Sequence, residues 1–144
     1  MIVIDTSVLI DCIFEKDATR KSIAREFLSL VRGFKVFAPR ILLIEFIAVA
    51  KRLGMSISRQ DVVKLTADFI LISEDTIFDE AFRIAEQAHP RAADAYFIAA
   101  AKLTNSILIT NDRIMANNAR KAGIEVYYLI EDFDETLKRL KEIK

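Results

Sequence analysis

The chain has 144 residues, 53% of them hydrophobic and 29% charged, with only 3 Gly and 2 Pro. That size suits one domain spanning 1–144 with its own core, and the composition excludes disorder, collagen-like repeats and low-complexity linkers. The 21 Lys and Arg balance 21 Asp and Glu, which excludes a general basic coat for nucleic acid, and the lone Cys12 excludes an intramolecular disulfide. No apolar run approaches the ~18 residues of a membrane span, so a cytoplasmic protein without a membrane partner is expected.

In chain order, MIVID is a short unbroken apolar run closed by a carboxylate, the pattern of a central parallel strand covered on both faces, here residues 2–5. Thr6 and Ser7 are helix-capping types, and Val8, Leu9, Cys12 and Ile13 have the spacing of a short helix. A second helix is expected over about 19–32, with Ile23, Phe27, Leu30 and Val31 on one side, ended by Gly33. A brief strand over 35–38 follows. Pro39 is expected to open a helix whose run from Arg40 to Leu53 is apolar almost all round, and so buried on most sides until Gly54 stops it.

Ser58 can cap a helix over about 59–68, with a strand over 69–72 and a longer helix over 74–88 that His89 and Pro90 interrupt. A helix over about 92–104 carries many alanines and packs closely. SILIT, 106–110, reads as another apolar strand ending in polar residues, followed by a helix that Gly123 closes. IEVYYL is the last strand, and a charged amphipathic tail over about 131–143 places Phe133, Leu137, Leu140 and Ile143 on one stripe. Alternating strands and helices predict an α/β/α sandwich with a mainly parallel sheet of about five strands, because parallel neighbours need helical crossovers. Ligands of such sheets bind outside the carboxyl ends of the strands, where Asp5, Thr6 and Ser7 finish one strand and Thr110, Asn111 and Asp112 finish another.

Four carboxylates stand in unfavourable places. Asp5 and Asp112 end apolar strands, where each can equally be a helix cap. Glu45 lies inside the apolar stretch from Ile41 to Val49; burial of its charge costs several kcal/mol unless a cation or hydrogen bonds compensate, or the group stays neutral. Asp94, flanked by Ala93 and Ala95, either stabilises the first turn of its helix or faces the same interior. Brought together, the four would form a pocket of charge near −4, which cannot persist without something positive, and an all-oxygen donor set suits Mg²⁺ or Mn²⁺. Their repulsion predicts that Asp94→Asn stabilises the metal-free chain. His89, in a loop, and Cys12, on an apolar helix side, are read as structural residues.

MIVIDTSVLID, LIEF, AADAYFIAAAK and ILITNDRIMANNARKAGIEVYYL together resemble the PIN-domain nucleases, especially VapC-type toxins, over nearly the whole chain. The resemblance implies that Asp5, Glu45, Asp94 and Asp112 are a catalytic, metal-binding quartet, with Thr6 or Ser7 and Thr110 as hydroxyl helpers that orient carboxylates or water. It implies hydrolysis of an RNA phosphodiester with Mg²⁺ or Mn²⁺, in which the metal lowers the pKa of a bound water and stabilises charge on the phosphate. It also implies a small antitoxin protein as partner and commonly a homodimer. Many members carry a further acid two places after the last Asp, where this chain has Ile114. Basic rim residues expected to hold flanking phosphates are Arg40, Lys51, Arg52, Arg91 and Arg113.

Four other readings compete. A receiver-like phosphoacceptor lacks its lysine at the end of a late strand, and an aspartyl phosphatase would want a second Asp where Ser7 stands. A PIN-like module that binds RNA or protein without cutting is disfavoured by the intact quartet. A housekeeping RNA-processing nuclease would share the same site.

Overall fold

In a computed structural model describing residues 1–144, five strands form one all-parallel sheet in the order β3-β2-β1-β4-β5. The elements run β1 (Ile2–Ile4), α1 (Thr6–Phe14), α2 (Ala18–Leu30), β2 (Val36–Pro39), α3 (Ile41–Arg52), α4 (Arg59–Leu65) and β3 (Phe69–Ile72). They continue with α5 (Glu74–Ala88), α6 (Ala92–Leu103), β4 (Ile107–Thr110), α7 (Arg113–Lys121), β5 (Val126–Tyr128) and α8 (Leu129–Ile143). The α/β/α class expected from the sequence is the class observed. No helix is long and apolar enough to cross a membrane.

Strand alternation divides the core in two. Val3 and Leu108 point to one face, where Leu42 and Phe46 of α3, Ile77 and Ile84 of α5, and Phe97 and Ile98 of α6 pack. Ile2, Ile4, Val36, Ile107 and Ile109 point to the other, against Phe27 of α2 and Leu129 and Leu140 of α8. Both faces of β1 and β4 are thus covered, which is why IVI and ILIT carry no polar residue before their last position. The alanines of α6 let it lie close to the sheet, with Ala99, Ala100 and Ala101 buried.

Three expectations are corrected. Pro39 ends β2 rather than opening α3: it pairs with Ile72, and the Arg40 N–H donates to the Ile72 carbonyl at 3.0 Å. Proline is tolerated there because no ladder bond is asked of its nitrogen. Helix α3 is not buried on most sides. Only Leu42, Phe46 and Ala50 are buried along it, and Ile44 is 68% exposed. The tail helix begins at Leu129, directly after β5, and bends at Asp132 (φ −109°, ψ 27°), whose carboxylate accepts the Tyr128 N–H at 3.0 Å. Asp132 serves as a cap inside a stripe pattern that only shows its apolar side.

His89 ends α5 with a positive φ of 54°, exposed, and Pro90 then fixes the turn into α6. Between these helices Glu80 is buried and held by Lys102 at 2.6 Å and Arg83 at 2.7 Å, and the Lys102 contact leads in keeping its carboxyl below the ordinary 4.5. A lowered folded pKa contributes stability above the unfolded value and loses it as pH falls through the folded one. Both cations are half-exposed and screened, so Glu80→Gln is expected to cost ~1 kcal/mol near pH 7. Denaturant titration should show that deficit vanishing below about pH 4.

Candidate active site

At the carboxyl edge of the sheet, β1 and β4 pair directly, and their ends are joined by hydroxyls rather than backbone alone. Ser7 Oγ and Thr110 Oγ1 both donate to Asp5 Oδ2, at 2.6 and 2.8 Å. Each hydroxyl in turn accepts a backbone N–H from the β4–α7 turn, Ser7 from Asn111 at 2.9 Å and Thr110 from Asp112 at 3.0 Å. The arrangement uses both capacities of a hydroxyl, donor and acceptor, to fix Asp5 against the turn that carries Asp112. Both hydroxyls go to Oδ2, and Asp5 lines the pocket.

That pocket, of about 230 Å³, is lined by Asp5, Thr6, Ser7, Glu45, Asp94 and Asp112, with Arg91 and the apolar Ile10, Val49 and Ala93. The four carboxylates singled out from sequence are therefore brought to one cavity from β1, α3, α6 and the start of α7. Thr6, buried, donates to Glu45 Oε1 at 2.8 Å, which orients the one acid that comes from the outer helix layer. Thr110 touches Asp5 but does not line the cavity. Asp112 is also a helix cap: its Oδ1 accepts the N–H groups of Ile114 and Met115, at 2.9 and 3.3 Å, leaving Oδ2 for the pocket. One side chain thus both caps α7 and lines the pocket.

Electrostatics divide the four unevenly. Burial pushes the Asp5 carboxyl above its ordinary 3.8, with Ser7 and Thr110 pulling against it and the charges of Asp94 and Asp112 adding to the rise. Glu45, half-buried, is raised in the same way by burial, and the Thr6 bond only partly offsets this. Burial also pushes Asp112 up, but the Arg91 guanidinium overrides it and holds the carboxyl low. Arg91 Nε and Nη2 clasp Asp94 at 2.9 and 3.3 Å, and Nη2 reaches Asp112 Oδ2 at 2.6 Å. Asn118 Nδ2 donates to Asp94 as well, at 3.2 Å. The electrostatic strain of the cluster thus sits on Asp5 and Glu45. Asp94 is ion-paired to Arg91, so its replacement by asparagine removes a partner as well as a charge.

No three of these acids converge on one point as a ready ligand set, and the guanidinium of Arg91 stands between two of them. The donor chemistry nonetheless fits a hard divalent cation: oxygen only, with Asp5 and Glu45 lining a common cavity. Of the basic residues expected at the rim, Arg91 alone lines the pocket. Arg113 pairs with Glu131 and lies 5.1 Å from the centroid of the Tyr128 ring, while Arg40 lines a separate apolar groove.

A second layer was not marked by the sequence pattern. Asp11, buried on α1, accepts from Arg20 Nε and Nη2 of α2 at 3.1 and 2.9 Å and from Asn111 Nδ2 at 2.8 Å; Arg20 Nη2 also donates to the Asn111 carbonyl at 3.1 Å. This triad pins the residue between Thr110 and Asp112. Asp11 stands between Ile10 and Cys12, so the buried-carboxylate argument that singles out Glu45 applies to it equally.

The PIN domain family model matches residues 2–121. No curated protein matches the chain significantly. Among solved structures, a toxin–antitoxin complex from Klebsiella pneumoniae is similar with TM-score 0.60 and 20% identity, covering 78% of this chain and 87% of that one. FitAcB from Neisseria gonorrhoeae is similar with TM-score 0.62 and 16% identity over 91% and 99% of the two chains. PAE2754 from Pyrobaculum aerophilum is similar with TM-score 0.63 and 17% identity over 98% and 89%. At these identities the neighbours speak for the fold alone, whereas the family match runs from the first strand to the end of α7 and takes in all four carboxylate positions: the chain belongs to the PIN-domain family.

Proposed function

We propose that this protein is a divalent-metal-dependent ribonuclease and the toxin of a toxin–antitoxin pair. The observation that carries the proposal is the convergence of Asp5, Glu45, Asp94 and Asp112 on one pocket at the carboxyl edge of a parallel sheet. Asp5, Glu45, Asp94 and Asp112 would hold Mg²⁺ or Mn²⁺, which supplies Lewis-acid stabilisation of charge on a phosphodiester and lowers the pKa of water. Thr6 orients Glu45, and Ser7 and Thr110 orient Asp5, so that the acids are presented in fixed directions. The chain's only histidine lies outside the pocket and no thiol lines it, which leaves the carboxylates as the groups able to act.

Cleavage of single-stranded and structured RNAs by purified protein in Mg²⁺ or Mn²⁺ tests this. Activity should stop with EDTA and return with excess metal; cleavage indifferent to EDTA would reject the reading.

Partner proposals rest on apolar surface. A groove between α3 and α4, lined by Ile41, Leu43, Ile44, Ile47 and Val63, suits an apolar antitoxin segment, and the neighbour from a toxin–antitoxin complex of Klebsiella pneumoniae favours such a partner. Phe78 and Phe82 of α5, 51% and 58% exposed with ring centroids 6.2 Å apart, suit a homodimer contact. A housekeeping nuclease would share the pocket. Co-expression with the product of a neighbouring gene, silencing cleavage, separates the two roles.

A further inference from the structure

The strongest unassigned feature of the pocket is the guanidinium that occupies it. Arg91 Nη2 lies between Asp94 Oδ1 and Asp112 Oδ2, and Nε secures Asp94 Oδ2. One cation thereby joins an acid of α6 to an acid at the β4–α7 turn, two groups that the backbone of neither element holds together. Asp112 has only Oδ2 to offer, since Oδ1 is committed to the α7 cap, and that oxygen is the one Arg91 uses.

Arg91 is not built in as a permanent counterion. Its side chain is 49% exposed, against 7% for that of Asp94, so the guanidinium can leave for water without passing through the core. Its backbone is fixed at the same time: Pro90 precedes it, and its carbonyl accepts the Ala95 N–H at 3.1 Å as α6 begins. A rigidly rooted, solvent-facing arm whose tip sits on two carboxylates has the form of an exchangeable ligand.

We infer that Arg91 is a positioning residue that exchanges with the divalent cation: it holds Asp94 and Asp112 at the pocket while no metal is bound, and swings out as the metal takes their oxygens. This inference rests on the metal-dependent reading above. Arg91 keeps the two acids from repelling each other apart, so that the turn carrying Asp112 is already in place for the cation. The same contact sets a competition, because any ion that takes the Asp112 oxygen must do so against the guanidinium. Metal affinity is then weaker than the four carboxylates alone would give, and the released arm, still rooted at the rim, presents its charge where a phosphate of the RNA arrives.

Calorimetric titration with Mn²⁺ and ¹⁵N-edited NMR of the arginine Nε–H group during Mg²⁺ titration, on native protein and on R91A and R91K, test the exchange. Lysine keeps the charge but cannot span both carboxylates. The expected result is Mn²⁺ binding about tenfold tighter in R91A and about threefold tighter in R91K, with the native Arg91 Nε–H signal shifting or broadening as Mg²⁺ binds. Native protein that binds metal while R91K matches it, or while the Arg91 signal does not move, overturns the exchange and leaves the metal reading standing. Native protein and both variants that bind neither ion overturn the metal reading, and the exchange with it.

Discussion

Asp5→Asn is expected to melt about 3 °C above the native chain without metal, and in Mg²⁺ to cleave RNA at least ~100-fold more slowly. The first half follows from burial. Asp5 is 6% exposed, its carboxyl is pushed above 3.8, and an acid whose folded pKa is raised costs stability wherever it must ionise. That cost is absent below 3.8 and complete above the raised folded value, so the advantage of the variant should shrink as the metal-free protein is acidified toward pH 4. Asparagine also fits the local bonding: its carbonyl can accept both the Ser7 and Thr110 hydroxyls, while its amide takes the place of Oδ1. A gain of ~1 kcal/mol is the scale on which a domain of this size melts a few degrees higher. The second half follows from the proposed role, since the variant exchanges a carboxylate oxygen of a pocket-lining residue for an amide. Added Mg²⁺ should therefore reverse the order of the two melting temperatures, because only the native chain gains stability by binding. A variant less stable than the native protein without metal, and equally responsive to Mg²⁺, would contradict both halves.

Asp11→Ala acts one layer further out and should cost ~2–3 kcal/mol, a drop of about 6–12 °C in melting temperature. It removes the nearer of Arg20's two carboxylates, with Glu15 left at 3.7 Å, and leaves the Asn111 amide buried without an acceptor, next to an Oδ1 that already lacks a protein partner. Arg20 is partly exposed and can hydrate, which keeps the loss below that of a fully buried pair. Because Asn111 sits between Thr110 and Asp112, cleavage should fall about tenfold with its metal requirement intact. Asp11→Asn, retaining one acceptor oxygen, should lose less on both counts. Calorimetry and the RNA assay run on the same preparations would show an idle network as a variant that melts with the native chain.

What the sequence made legible followed from periodicity and from cost. The apolar runs of β1 and β4 marked central strands because only a doubly covered strand is apolar on both sides, and β3, α5 and α6 lie within a residue of where their patterns placed them. Glu45 and Asp94 stood out because a carboxylate in an apolar stretch demands an explanation. Errors arose where a pattern has no view of neighbours. The run from Ile41 to Val49 is dense in apolar residues, but density does not say that a face is covered, and Ile44 lies open. Arg91 was visible only as one of five rim cations, since nothing local to it announces that Asp112, twenty-one residues on, shares its guanidinium. Asp11 lay inside a motif read for other residues.

The pairing of β1 with β4 bears on how the protein becomes competent during synthesis. Thr110 reaches Asp5 across 105 residues, so the cluster closes only after the largest loop in the sheet has been paid for in chain entropy. Contacts of such high sequence separation form late and slow folding. A ribosome-bound chain that has not yet released β4 holds β1, β2 and β3 and can carry Asp5 and Glu45, but it lacks the strand whose hydroxyl aims Asp5 and the turn that bears Asp112. Every nascent form short of that point lacks Asp112 and the Thr110 hydroxyl, and the pocket closes only when β4 joins the sheet.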